Sequence, residues 1–346
     1  MKVAIIGSGI SGLTSAYLLN KHHEIKVFEA NDYIGGHTHT HTINMGGVDY
    51  EVDSGFIVYN ENTYPNFIRL LKELNVETQI SSMGFSVTSK NNKIEYAGNS
   101  LNSIFAQRKN IFKPSFYKML FEINRFNKES KTQQESLDYK ITLGDYLNKN
   151  GHSFEFIHHY VVPMGAAIWS TIPSGMLKMP AKFFIKFFKN HGLLLIKNRP
   201  KWWVIKGGSR QYIKKIISSF KDSIFVSTPI KSVERSESKI KVVFQDNNRN
   251  SEVFDKIIFA THSDQALNIL KNPTSDEKKI LESLPYQKNE VLIHTDESVL
   301  PKRKLAWASW NYSLDSDFNS PVALTYNMNI LQSLNCDKTF CVTLNN

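Results

Sequence analysis

An α/β fold is predicted for this 346-residue chain by three observations. Val3-Ala4-Ile5-Ile6 is a short continuous apolar run, as expected of a strand buried on both faces, and Gly7-Ser8-Gly9-Ile10-Ser11-Gly12 follows where that strand must turn into a helix. A second run, Ile25 to Phe28, ends in Glu29. Far downstream, Ile224-Phe225-Val226 would add a parallel strand to the same sheet, and Lys256 to Thr261 would lead back toward the first turn.

The spacing of the glycines gives each a task. Gly7 permits the sharp turn, Gly9 lets the backbone approach a pyrophosphate, and Gly12 lets the helix pack closely on the sheet, while the helix start presents free N–H groups to an anion. Glu29 stands where an acid accepts from the ribose hydroxyls of an adenosine, which argues against a 2′-phosphate and hence against NADP. The expectation is a Rossmann-like dinucleotide-binding domain, with Gly35-Gly36-His37 lying just beyond the acid in position for cofactor contact.

With 41% hydrophobic and 12% aromatic residues, the chain has ample material for two globular domains. Met1 leads directly into the first strand, so no signal peptide is expected, and no apolar run is long enough to span a bilayer. A cytoplasmic location follows, with peripheral attachment to the inner face of the membrane as its variant. Cys336 and Cys341 are read as reduced structural thiols. The net charge of +10 could suggest nucleic acid, but it is regional: Phe156 to Lys221 holds twelve cations and no acid, leaving the rest of the chain slightly negative. No nucleic-acid partner is assigned.

His37-Thr38-His39-Thr40-His41-Thr42 would place three imidazoles on one face if extended, yet no carboxylate or fourth ligand accompanies them, so no metal site is assigned and His37 is kept as a cofactor contact. Val48 to Val52 reads as a strand closing on Asp53-Ser54-Gly55, and Thr63 to Leu74 as an amphipathic helix. From Ser82 short strands (Phe85 to Ser89, Lys93 to Tyr96) and helical stretches (Ser100 to Ala106, Ser115 to Asn127, Thr142 to Asn150) announce an inserted α+β domain. The boundaries expected are 1–78 and 201–285 for the nucleotide domain, 79–200 and 286–346 for the substrate domain.

Within the insertion, Val161 to Ser170 is apolar but interrupted by Pro163 and Gly165, and reads as a buried wall or pocket lining rather than a surface helix. Pro180 to Asn190 reads as a helix with Lys182, Lys186 and Lys189 on one side and Phe183, Phe184, Phe187 and Phe188 on the other. Such a helix either seats its Phe face in a core or lies on an anionic membrane surface. Lys201 to Lys206 is a strand before Gly207-Gly208, followed by a helix from Arg210 to Phe220. Ile230 to Val233, Ile240 to Phe244, Val291 to Thr295 and Val322 to Asn327 are further strands, and Trp307, Trp310 and Tyr312 either line a pocket or fill core.

Taken together, Gly7-Gly9-Gly12, Glu29, Gly35-Gly36-His37, Asp53-Ser54-Gly55, Trp203 through Gly207-Gly208, Val226 and Ala260-Thr261-His262 resemble the flavin-containing amine oxidase superfamily, which includes protoporphyrinogen oxidases and carotenoid desaturases. Within it, the chain looks most like a bacterial branch of FAD-binding oxidoreductases found beside cyclopropane-fatty-acid synthases. The resemblance covers most of the chain and implies FAD as cofactor. It places pyrophosphate at Gly7, Ser8, Gly9, Ile10, Ser11 and Gly12, ribose at Glu29 and Ala30, and flavin contact around Gly35, Gly36 and His37. Asp53, Gly55 and Ala260 join the cofactor-binding set, with the isoalloxazine near Gly207-Gly208 and adenine packing at the backbone of Val226.

Two departures stand out. Many amine oxidases hold a lysine near flavin N5 on a strand that would align with Asn289-Glu290-Val291; only the adjacent Lys288 is available, so amine oxidation is not expected. The glycine-rich turn and helix that end the superfamily's fold are not seen after Ala260, and the chain is expected to be C-terminally truncated. No residue pattern nominates a general base beyond His262 and Lys288. The expected activity is FAD-dependent oxidoreduction, with hydride transfer to or from flavin N5, on a hydrophobic small-molecule, lipid or acyl-chain substrate. Lys182, Lys186 and Lys189 would meet an anionic membrane surface. The alternatives are an NAD-dependent dehydrogenase and a non-catalytic nucleotide-binding remnant.

Overall fold

The computed structural model describes residues 1–89, 93–245, 250–314 and 323–345. The chain divides into two compact units. One contains Met1–Ile57, Leu70–Glu77 and Ile205–Lys288; the other contains Val58–Arg69, Thr78–Val204 and the stretch from Asn289 onward.

In the first unit Lys2–Ile6 lies at the centre of a four-stranded parallel sheet in the order Ile224–Phe225, Glu24–Phe28, Lys2–Ile6, Lys256–Phe259. Val3, Ala4, Ile5 and Ile6 are all buried, which is why this strand is apolar at every position rather than at alternate ones. The expected parallel placement of Ile224-Phe225 and of the strand before Ala260 is what the sheet shows. Against it packs a three-stranded antiparallel sheet, Ile230–Arg235, Ile240–Phe244 and Ser251–Phe254. Phe28 anchors the contact, stacking on Phe225 with ring centroids 5.6 Å apart and meeting Phe244 and Phe254 edge-on at 5.2 and 5.9 Å.

The second unit holds a six-stranded sheet in the order Val291–His294, Cys341–Leu344, Ala323–Asn327, Trp310–Leu314, Phe85–Ser89, Glu95–Ala97. Neighbours are antiparallel except Trp310–Leu314 and Phe85–Ser89, which are parallel. Helices Pro114–Gln133, Leu143–Lys149, Val162–Trp169, Pro173–Lys178 and Ala181–Asn190 bury their apolar faces in one core with Val87, Tyr96, Tyr312 and Leu324 of this sheet. A smaller sheet joins Val58–Asn60, Trp202–Ile205 and Thr78–Ser81. Neither Cys336 nor Cys341 is in a disulfide among the described residues, and burial pushes the Cys341 thiol up to about 12.

Several sequence expectations are altered. Val161 to Ser170 is buried, as a wall should be, but it is a helix, Val162–Trp169, entered through a wide π turn at Ile157–Val161. Pro163 follows directly on that π turn within one continuous helical run, and a Cβ at Gly165 would stand 2.6 Å from Met176 Cε, so the glycine serves packing. In Ala181–Asn190 Phe184 and Phe188 are core but Phe183 is exposed, and Pro180 caps the helix instead of opening it. Lys182 donates to the Glu135 carbonyl at 3.1 Å and Lys189 to Gln134 Oε1 at 3.4 Å, while Lys186 is exposed. The tryptophan question resolves toward core: Tyr312 is buried and Trp310 meets Tyr326 edge-on at 5.0 Å. Ser251–Phe254 was not expected as a strand. Val322 lies outside the described residues.

Candidate functional site

Every residue expected at the cofactor lies in the first unit. The turn after the central strand is held by backbone bonds, Gly7 N–H donating to the Phe28 carbonyl at 2.8 Å and Ala260 N–H to the Ile6 carbonyl at 2.8 Å. Gly7 has φ +102°, and a Cβ there would lie 2.6 Å from the Ala260 carbonyl oxygen. At Gly12 a Cβ would come within 2.0 Å of the Gly7 carbonyl oxygen, so the helix can sit this close only with glycine. Gly9 is different: nothing lies within 4 Å of where its Cβ would be. Helix Ile10–Leu19 starts at Gly9 with no side-chain cap, so its first-turn N–H groups, at the positive end of the helix dipole, have no side-chain acceptor at Gly9.

Glu29 is buried beside this turn, and both the N–H and the hydroxyl of Ser8 donate to its Oε2, at 2.9 and 2.6 Å. Oε1 accepts from Asn31 N–H at 3.0 Å. A carboxylate offers about four acceptor sites, so one remains for a hydroxyl donor. Ser8 Oγ also accepts from Gly35 N–H at 3.3 Å, which ties the second glycine pair to the first turn. A Cβ at Gly36 would stand 2.9 Å from Gly9 Cα, showing how closely the two loops approach. Beyond Glu29, the backbone pairs with the segment around Val226: Glu29 N–H donates to the Phe225 carbonyl and Ser227 N–H to the Asn31 carbonyl, and Ala30 and Val226 are both exposed.

The Gly207-Gly208 turn is placed from below by Asp53. This fully buried carboxylate accepts from Ser209 N–H at 2.9 and 3.0 Å, from Ser209 Oγ at 3.1 Å and from Thr40 Oγ1 at 2.5 Å. Burial pushes it up to about 6 against these stabilising donors. Asp53, expected in the cofactor-binding set, holds this turn through its side chain, and a Cβ at Gly208 would strike Thr40 Cγ2 at 2.6 Å. Gly55 has a similar structural task, since its Cβ would lie 1.9 Å from the His37 carbonyl oxygen.

The histidine run does not present one face. The strand begins only at Thr40; His39 and His41 rings are 4.1 Å apart, with Tyr33 stacked on His39 at 4.3 Å, while His37 turns to His262 at 5.5 Å. Among the described residues no group of three or more His, Cys, Asp or Glu side chains is placed to hold a metal. His262, which starts helix Ser263–Ile269, also stacks on Tyr286 at 4.2 Å and 8°. The structure thus unites His37 and His262 and adds Tyr286, which sequence reasoning missed because no local pattern marks it. Lys288 stands exposed in the extended segment before Val291–His294.

The open space at Gly9, the uncapped helix start and the spare acceptor on Glu29 form a cradle fit for a dinucleotide. The family profile described as flavin containing amine oxidoreductase matches residues 10–321. Among curated proteins, flavin-containing amine oxidase A of Canis lupus familiaris is 46% identical over 77 residues, 22% of this chain and 14% of that enzyme. Cyclohexylamine oxidase from Brevibacterium oxydans IH-35A superposes with a TM-score of 0.70 at 16% identity, over 99% of this chain and 74% of that one. A fatty acid isomerase from P. acnes that produces CLA superposes at 0.68 with 14% identity, over 99% and 77%. At such identities the two superpositions establish the fold.

Proposed function

Because this chain belongs to the flavin containing amine oxidoreductase family, whose cofactor is FAD, we propose that it is an oxidoreductase acting on a hydrophobic lipid or acyl-chain substrate. The observation that carries the cofactor part is the cradle itself: open at Gly9, flanked by an acid with acceptor capacity to spare, and closely approached by Gly36, where a Cβ would stand 2.9 Å from Gly9 Cα. In this reading the helix start at Gly9–Gly12 holds the pyrophosphate, Glu29 the adenosine hydroxyls, and the backbone at Val226 the adenine, with Gly35–His37 and Gly207-Gly208 toward the flavin ring. FAD, when bound, supplies a hydride acceptor or donor at N5. The protein's own part is to orient the substrate and keep water out, and His262, braced by His37 and Tyr286, is the side chain best placed among the candidates to steer a reacting group.

The acyl-chain reading draws support from the name of the structural neighbour that isomerises a fatty acid, and from the lack of a lysine at Asn289-Glu290-Val291. Amine oxidation is the second reading, favoured by the canine relative. The nicotinamide alternative is set aside by family membership. Purified protein should show flavin absorbance bands; their absence overturns the cradle assignment. Under anaerobic conditions these bands should bleach on mixing with unsaturated fatty acids or their phospholipid esters and persist with primary amines. Bleaching by amines alone overturns the acyl-chain substrate while leaving the cofactor assignment intact. No helix among the described residues is long and apolar enough to cross a membrane.

A further inference from the structure

An unusual run of exposed apolar side chains lies in the second unit between Leu101 and Phe121. Leu101 is 78% exposed, Phe112 85% and Phe121 67%, and Ile111 and Tyr117 are also exposed. Singly such residues are ordinary; five within about twenty positions are not. The local fold explains their direction. Buried Asn110 and Phe116 pin the short 3₁₀ turn Arg108–Phe112 and the first turn of helix Pro114–Gln133, so the intervening Ile111 and Phe112 project outward. Tyr117, Lys118 and Phe121, at i, i+1 and i+4, share the outer face of that helix, opposite the buried Phe116 and Met119. Phe105 holds Tyr117 at a ring distance of 5.8 Å.

The charge of the same stretch has one sign. From Tyr96 to Phe121 there is no Asp or Glu, while Arg108, Lys109, Lys113 and Lys118 are interleaved with the apolar residues. Arg108 is fixed across the turn, donating to the Phe105 carbonyl at 3.0 Å and Asn102 Oδ1 at 2.6 Å. Lys113 donates to the Lys93 carbonyl at 2.9 Å.

We propose that Leu101–Phe121 docks the protein on an anionic lipid bilayer, with Ile111, Phe112 and Phe121 entering the headgroup–acyl boundary and Arg108, Lys109 and Lys118 meeting the phosphates. Aromatic and aliphatic tips rimmed by cations match that boundary. A second copy of this chain is the poorer occupant, since a twofold contact would set the same cations against one another. The surface differs from helix Ala181–Asn190, whose Phe184 and Phe188 are core. It stands independently of which substrate the enzyme takes.

The test is co-sedimentation of the flavin-loaded full chain with phosphatidylcholine vesicles and with vesicles containing phosphatidylglycerol. Binding to the anionic vesicles at low salt is expected, weakened about tenfold or more by the pair Phe112→Ser and Phe121→Ser and by the pair Lys109→Glu and Lys118→Glu, with flavin absorbance retained in both. Lys182→Glu, Lys186→Glu and Lys189→Glu together should leave it nearly unchanged. The proposal is overturned by absence of binding, by binding lost only in the Lys182 set, or by a dimer that Phe112→Ser converts to monomer.

Discussion

Ser8 gives both its backbone N–H and its hydroxyl to one oxygen of Glu29, so the glycine turn and the acid at the end of the second strand are locked to each other. Replacing Glu29 by Ala would strand the two Ser8 donors and the Asn31 N–H. A loss of about 2–4 kcal/mol of stability is expected, read as a lower thermal midpoint, together with a reduced flavin-to-protein ratio after gel filtration. An unchanged midpoint would refute the lock.

Gly9 and Gly12 should separate folding from binding. Gly9 has φ −68° and ψ 179°, an ordinary backbone for Ala, with open space around its Cβ position. Gly9→Ala is therefore expected to fold with a midpoint close to the parent yet retain little flavin. Gly12→Ala, driven 2.0 Å from the Gly7 oxygen, should cost about 3 kcal/mol or more and appear as poorly folded protein. Equal flavin content in the parent and in Gly9→Ala would show that the pyrophosphate is held elsewhere.

Asp53 sets a pH dependence of defined sign. Its folded value is raised from 3.8 to about 6, so the native state holds the proton more tightly than the unfolded chain does. The resulting contribution is full below about pH 4 and is lost as pH rises through about 6, an effect on the order of 3 kcal/mol. Denaturant unfolding of parent and Asp53→Asn across this window should give curves whose difference changes by that amount; parallel curves would contradict it.

His152 in the second unit acts in the opposite sense. It is buried against Phe156 and Arg125, and burial lowers it from 6.5 to about 4. Its contribution is present above about pH 6.5 and fades as pH falls through about 4. His152→Gln should lessen acid sensitivity in a probe confined to this unit, such as hydrogen exchange of Pro114–Gln133 amides; equal sensitivity would exclude His152 as the cause.

Much of this is written locally in the sequence. A strand buried on both faces must be apolar throughout, which makes Val3–Ile6 readable, and a turn that excludes Cβ atoms must be glycine, which makes Gly7 and Gly12 readable. The Asp53–Ser209 tie was not legible, because its partners are 156 positions apart and nothing in either segment names the other. His37 lies in a turn closed by Thr38 N–H donating to the Gly35 carbonyl at 3.0 Å, while the strand starts only at Thr40, a bend that alternation alone cannot reveal. Ser251–Phe254 lacks strict alternation, since pairing with Ile240–Phe244 alone defines it.

The parallel sheet carries a consequence for synthesis. Lys2–Ile6 and Glu24–Phe28 leave the ribosome first and pair with each other, but the neighbour that covers each outer edge, Lys256–Phe259 for one and Ile224–Phe225 for the other, is made about two hundred residues later. Until then the nascent pair exposes two apolar edges able to recruit other chains. The interval before those two strands are made is when the first pair most needs shielding from other chains.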